Sequence, residues 1–170
     1  MKNNKGFTLV ELAIVLMIIG VILGGVIKGT ELLNNAKLKR VYRDFQNIQT
    51  GYLAYYDRNG VAPGFKGGST WSSANFWDDL YNGGNSFFGT SANAPKDAFG
   101  TALTVANDGG SSALGSANKF SGTYVICDSV TTAYAVSLDK SFDNDTATTG
   151  NLRYATAEGA TTSTICMPLD

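Results

Sequence analysis

The chain contains no histidine, and this absence removes many catalytic and metal-binding sites from consideration. Ser-His-Asp and Cys-His catalysis both need an imidazole, as does every zinc site that has a histidine ligand. Only two cysteines are present, Cys127 and Cys166, which is too few for a four-thiolate metal site. Since no serine or cysteine lies in a nucleophile motif, a hydrolase is disfavoured and the protein is predicted not to be an enzyme.

Charge and proline are also scarce, with 16% charged residues and 3 prolines against 20 glycines. A net charge of −1 gives no overall attraction to nucleic acid, and 170 residues suit one domain with an extra segment. The charge is unevenly distributed: residues 1–60 carry 8 basic and 4 acidic side chains, whereas residues 61–170 carry 5 and 10. A basic, apolar part is therefore joined to an acidic, polar part, and the two are predicted to lie in different surroundings.

A long apolar run begins close to the N-terminus. Residues 7–27 contain one charged side chain, Glu11, and follow a polar leader with Lys2 and Lys5. As a helix this run would be about 31 Å long, enough to cross a bilayer core of roughly 30 Å. The lysines place the leader in the cytoplasm. A cleaved secretory signal would have a shorter apolar region followed by small residues, so the helix is predicted to stay attached.

The carboxylate of Glu11 is costly inside an apolar span. The cost is on the order of 2–3 kcal/mol even on the gentler insertion scales, so such a residue usually has a function. The alternative is that Glu11 lies near enough to the helix N-terminus to be stabilised by the helix dipole and to reach water.

The helical pattern continues beyond the apolar run. An apolar stripe with spacings of three and four predicts one helix that stops at Asn59-Gly60; its members are Leu38, Val41, Tyr42, Phe45, Ile48, Tyr52 and Tyr55. We interpret its aromatic residues as packing against a sheet rather than as a conduction path. The basic patch from Lys37 to Arg43 is predicted to meet lipid headgroups or acidic neighbouring subunits, with nucleic acid the less favoured alternative.

The rest of the chain predicts a small antiparallel sheet. Residues 60–98 form a long connection with a short helix at Ala74–Tyr81, and its aromatic residues are expected to anchor it: Trp71, Phe76, Trp77, Phe87 and Phe88. Residues 130–142 fit both a helix and a strand, and we favour the helix. Four segments rich in Thr, Val, Ile and Tyr are predicted strands: Thr101–Ala106, Gly122–Cys127, Leu152–Thr156 and Thr164–Met167. Packed on the second half of the long helix, these strands give an α+β fold.

The N-terminus resembles the processing site of type IV prepilins and pseudopilins. Lys5-Gly6 is followed by Phe7-Thr8-Leu9-Val10-Glu11 and then by an apolar helix. The resemblance implies that a prepilin peptidase cleaves between Gly6 and Phe7 and methylates the new amine of Phe7. It also implies that Glu11 pairs with the Phe7 amine of a neighbouring subunit during assembly.

The resemblance further implies a pilin-like fold in four regions: a leader (1–6), a membrane or filament-core helix (7–28), an amphipathic helix (29–60) and a soluble region (61–170) with a C-terminal disulfide loop. Many type IV pilins have a helix-breaking proline near the position of Lys28, and residues 7–60 contain none. The glycines of the span are expected either to weaken the helix there or to let helices approach closely; these are Gly20, Gly24, Gly25 and Gly29.

An exported body would join Cys127 to Cys166 in a disulfide, for which the chain-entropy model gives roughly 3–4 kcal/mol. The acidic stretch from Leu138 to Asp145, followed by Gly150, resembles a segment of many prepilin-like proteins. Its carboxylates are candidate ligands for calcium, the one cofactor considered; they are Asp139, Asp143 and Asp145. A solvated acidic turn is the favoured alternative.

These observations favour a structural subunit of a type IV pilus-like extracellular filament. The resemblance implies a homo-oligomer, built by the pilus assembly machinery from precursors in the inner membrane. The alternative is a pseudopilin of a type II secretion or DNA-uptake system, assembled in the periplasm, which shares the whole N-terminal motif. The disulfide and the long polar surface favour the pilin.

Overall fold

The computed structural model describes most of the chain in seven ranges and divides it after Ala36 into two compact units. The described residues are 7–65, 70–82, 93–109, 111–115, 118–122, 124–156 and 158–170.

Helix α1 spans Leu9–Asn59, and its residues up to Ala36 belong to the first unit. Thr8 caps the N-terminus, because the Glu11 N–H donates to Thr8 Oγ1 over 3.2 Å. Every side chain from residue 7 to residue 28 is exposed. In the described part of the chain, α1 is the one helix long and apolar enough to cross a membrane. The four glycines do not interrupt α1 in the single chain. Weakening of the helix in a filament stays a prediction.

The part of α1 in the second unit carries the predicted stripe. Five of the seven stripe residues are buried, and Tyr42 and Tyr55 are half-buried against the same core. The helix ends at Asn59, and Gly60, with φ of 69°, donates its N–H to Tyr56 O over 2.8 Å. The predicted stop is confirmed, because a left-handed glycine after the last turn satisfies a terminal carbonyl.

Helix α2, Ser73–Asn82, confirms the short helix predicted in the connection. Phe76, Trp77 and Leu80 are buried in the main core, and Trp71 packs against it. The predicted anchors Phe87 and Phe88 lie outside the described residues.

The sheet has four antiparallel strands in the order β1-β2-β4-β3. They are β1 (Thr104–Ala106), β2 (Val125–Thr131), β3 (Arg153–Thr156) and β4 (Thr162–Pro168). One face contributes to the main core with α1, and the other forms a smaller cluster with the four-residue helix α3, Ser111–Leu114. The predicted α+β class and the packing of the stripe on the sheet are confirmed.

All four predicted strands differ from the structure at their ends: β3 begins one residue later and β4 is longer by three residues, and the differences at β1 and β2 are larger. Residues 101–103 pair with residues 95–97, and pairing with β2 begins only at Thr104, so β1 has three residues. Strand β2 begins at Val125 and runs past Cys127 to Thr131, because β4 offers a partner for every residue of it. Of the segment 130–142, for which a helix was favoured, residues 132–142 form helix α4, Thr132–Phe142, whereas Val130 and Thr131 belong to β2. The helix interpretation is confirmed from residue 132 onward.

Candidate functional site

The N-terminal candidate site is centred on the carboxylate of Glu11. Glu11 Oε2 accepts hydrogen bonds from the Thr8 backbone N–H (2.8 Å) and from Thr8 Oγ1 (3.0 Å), while the Glu11 N–H donates back to Thr8 Oγ1. This reciprocal arrangement is a capping box, which satisfies donors at the helix start that have no partner within the helix. A single chain therefore already supplies Glu11 with two donors.

The predicted processing site is only partly described. Phe7 lies before the first helical residue and its side chain is 86% exposed. Gly6 lies outside the described residues, so cleavage between Gly6 and Phe7 stays a prediction. The pairing of Glu11 with a neighbouring Phe7 amine also stays a prediction.

The two cysteines are joined in the second unit. Cys127 and Cys166 are direct partners in the register of β2 and β4, and their sulfur atoms form a disulfide with a Cα–Cα distance of 4.1 Å. Both residues are buried in the smaller cluster beside Leu114, Phe120 and Val125. The bond links strands that are already hydrogen-bonded, so it locks their register as well as closing a loop.

A hydrogen bond from a backbone N–H to an aspartate side chain holds the acidic turn after α4. Asp143 Oδ2 accepts the Leu152 N–H over 2.8 Å, and Asp145 is an exposed residue with φ of 59°. Asp139 is 1% exposed, and burial, with the charge of Asp143, raises the pKa of its carboxyl.

Within the described ranges, no group of three or more acidic, histidine or cysteine side chains is placed to hold a metal ion. Convergence of Asp139, Asp143 and Asp145 on one cation is therefore not seen, and the calcium site stays a prediction.

The basic patch and the aromatic stripe make ordinary structural contacts. Lys37 Nζ lies 5.3 Å from the centre of the Phe99 ring. Arg40 pairs with Asp44 over 3.7 Å. The rings of Tyr42 and Phe142 stack with their centres 4.3 Å apart, which fits the interpretation of the stripe as a packing surface.

Sequence reasoning missed a buried pair of carboxyl groups, Asp97 and Asp128, which are 4% and 1% exposed. Burial, followed by the charge of Asp97, raises the pKa of Asp128 to about 7. For Asp128, the alternation of side chains along a strand could have indicated burial. In a strand that contains Ile126, Asp128 and Val130, this period of two places all three side chains on the same, core-facing side.

The described residues define a class of protein. An exposed apolar helix that could span a membrane, with a capped acid in its first turn, precedes a disulfide-bonded α+β body, an arrangement consistent with the pilin fold.

Comparison with known proteins is more specific for the N-terminus. Residues 1–27 match the family model of the prokaryotic N-terminal methylation motif, which is the prepilin signal of type IV pilins and pseudopilins. No curated protein and no solved structure matches the chain. This signal and the apolar helix suit a membrane-anchored precursor.

Proposed function

We propose that this chain is the structural subunit of a type IV pilus-like extracellular filament. The supporting observation is that residues 7–28, which are all exposed, begin within the prepilin signal matched at residues 1–27 and form the apolar start of α1 from Leu9 on. Cleavage between Gly6 and Phe7 removes the leader and leaves this helix on the mature protein. A retained apolar surface of this size needs lipid or other copies of itself around it.

Lipid and identical helices are almost equally apolar, so packing and polar contacts decide how subunits associate. The span offers both features. Apart from the backbone of the helix itself, nothing lies within 4 Å of where a Cβ would stand at Gly20, Gly24, Gly25 and Gly29, which leaves room for a neighbouring helix. Glu11 is the one charged side chain between residues 7 and 27.

The capped state of Glu11 suits a subunit that waits in the membrane. The two donors from Thr8 offset part of the cost of placing a carboxylate among lipid tails. Both donors are neutral, whereas the amine of a neighbouring Phe7 is a cation after cleavage. A charge-assisted contact of that kind is stronger than the neutral ones it would replace, so Glu11 sets the register between neighbouring subunits.

The experiment compares Glu11→Ala with Glu31→Ala in the host cell. Glu31 is a matched control because it lies on the same helix, beyond the apolar run, and pairs with Lys28 over 3.1 Å on an exposed surface. Both variants should be cleaved and methylated at Phe7, as shown by intact mass. We expect Glu11→Ala to abolish surface filaments in electron micrographs, whereas Glu31→Ala forms them normally.

Normal filaments from Glu11→Ala would overturn the pairing role. A mature protein that begins beyond residue 28 would overturn the proposed function itself. Filaments that contain the chain but stay in the periplasm would favour the alternative, a pseudopilin of a type II secretion or DNA-uptake system, which shares the same signal.

A further inference from the structure

The second unit contains a carboxyl group on the inner face of its sheet. Asp128 lies on β2 between Ile126 and Val130, and both of these neighbours belong to the main core with α1. Among the described residues, no donor has hydrogen-bond geometry to either oxygen of the Asp128 side chain, which is 1% exposed. An ionised carboxylate is strongly disfavoured in such surroundings.

A second carboxyl group, that of Asp97, faces Asp128 within hydrogen-bonding reach. Asp97 Oδ1 accepts two backbone hydrogen bonds, from Phe99 N (2.9 Å) and Thr101 N (2.6 Å), and the Asp97 N–H donates to Thr101 O over 2.8 Å. Its other oxygen, Oδ2, has no donor from the described part of the chain. Asp97 thus organises the turn of residues 97–101, and its free oxygen faces the sheet.

The surrounding charges do not neutralise the pair. Helix α1 contributes a third carboxylate, Asp44, whose charge acts on both Asp97 and Asp128. The nearby cations are directed elsewhere: Arg40 pairs with Asp44, Arg43 also acts on Asp44, and Lys37 lies over the Phe99 ring. Two carboxylates in contact, with no cation from the described residues acting on Asp128, cannot both be ionised at low cost.

We propose that Asp97 and Asp128 share one proton at mildly acidic pH, with the Asp128 hydroxyl donating to Asp97 Oδ2, and that this proton fastens the 93–103 segment to the sheet. Asp97 is the anion because two backbone N–H groups already stabilise its charge. Asp128 is the acid because it lies in an apolar core, where among the described residues only the Ser129 N–H, outside hydrogen-bond geometry, acts on its carboxyl. Loss of the proton replaces a hydrogen bond with repulsion, so the turn at 97–101 detaches more readily as the pH rises.

The sign of the pH dependence follows from proton linkage. The folded chain keeps a proton on the pair at a pH where the unfolded chain, with ordinary aspartates, has released it. The pair therefore lowers stability progressively as the pH rises from about 4, where free aspartate ionises, to the raised pKa of about 7. Outside this window its contribution does not change.

The test uses the full chain in detergent micelles and follows unfolding by the near-ultraviolet signal of Trp71 and Trp77 between pH 5 and pH 8. Asp128→Asn keeps the shape of the side chain and its amide can donate to Asp97 Oδ2, so it imitates the protonated state at every pH. Between pH 5 and 6 the folding constant of the wild type should fall by up to about tenfold per pH unit relative to Asp128→Asn. The exposed Asp57→Asn is the matched control and should follow the wild type.

A second measurement needs no variant. Hydrogen exchange of the Phe99 and Thr101 amides, corrected for its intrinsic pH dependence, reports opening of the turn directly. We expect their protection to fall between pH 5 and pH 7 in the wild type. Constant protection over this range would overturn the proposal, as would identical pH slopes for the wild type and Asp128→Asn.

Discussion

At the scale of single residues, the acidic turn shows how one backbone position can fix a local structure. Gly150 has φ of 86°, and a Cβ added there would overlap the carboxylate of Asp143. That carboxylate accepts the Leu152 N–H at the start of the path into β3. The glycine is required both for its left-handed conformation and for the space it leaves.

We predict that Gly150→Ala destabilises the folded body by more than about 2 kcal/mol, since backbone strain and a steric clash add together. Gly159→Ala is the matched control: Gly159 also has a positive φ, 76°, but nothing lies within 4 Å of its Cβ position. That variant should lose about 1 kcal/mol, from backbone strain alone. Urea unfolding of both proteins measures the difference, and equal losses would show that Asp143 does not occupy the space beside Gly150.

At the scale of elements, the second half of α1 supplies the central part of the main core. Its stripe packs on the core-facing residues of β2 and β4, including Ile126 and Ile165. Among the stripe residues that are less than 2% exposed, Phe45 has the largest side chain. The stability of the body therefore depends strongly on this single helix.

We predict that Phe45→Ala lowers the free energy of unfolding by about 3–5 kcal/mol, because it removes a large buried side chain and leaves a cavity. Leu53→Ala, on the same helix at a position that is 51% exposed, should change it by less than about 1 kcal/mol. Denaturant unfolding of the two variants gives both values. Similar losses would mean that the stripe does not face the core.

The elements that could be predicted were those fixed by local pattern. Apolar spacing predicted α1, the glycine after Asn59 predicted its end, and spacing by fours favoured α4 over a strand. The predicted ends of β1 and β2 were wrong because strand ends depend on pairing partners. Residues 101–103 pair with residues 95–97 instead of extending β1, and β4 supplies partners that extend β2 to Thr131.

The buried pair was missed for the same reason. Strand alternation alone places Asp128 on the core-facing side, but its partner Asp97 comes from an irregular turn with no periodic pattern. Helix α3 has only four residues, too few for a pattern to show.

At the scale of the whole molecule, the exposed apolar helix and the disulfide belong to different compact units of the chain. The first compact unit ends at Ala36 and carries the exposed apolar helix, and the second, beginning at Lys37, contains the disulfide. A disulfide persists in an oxidising compartment, whereas lysines beside a membrane span mark the cytoplasmic side. Lys2 and Lys5 precede the span, so the proposed topology exports everything that follows it.

This topology predicts the redox state of the cysteines in each form of the protein. In mature, exported protein, alkylation after denaturation should find no free thiol, and non-reducing mass spectrometry should find the peptides of Cys127 and Cys166 joined. Denaturation is necessary because both residues are at most 1% exposed in the fold. Precursor trapped in the cytoplasm by deletion of residues 7–28 should instead show two alkylatable thiols, because that compartment keeps cysteines reduced. Replacing both cysteines with alanine should cost the exported body about 2–4 kcal/mol, since the unfolded chain regains the freedom that the closed loop removes. Two free thiols in the exported protein would contradict both the pairing and the side of the membrane on which the body folds.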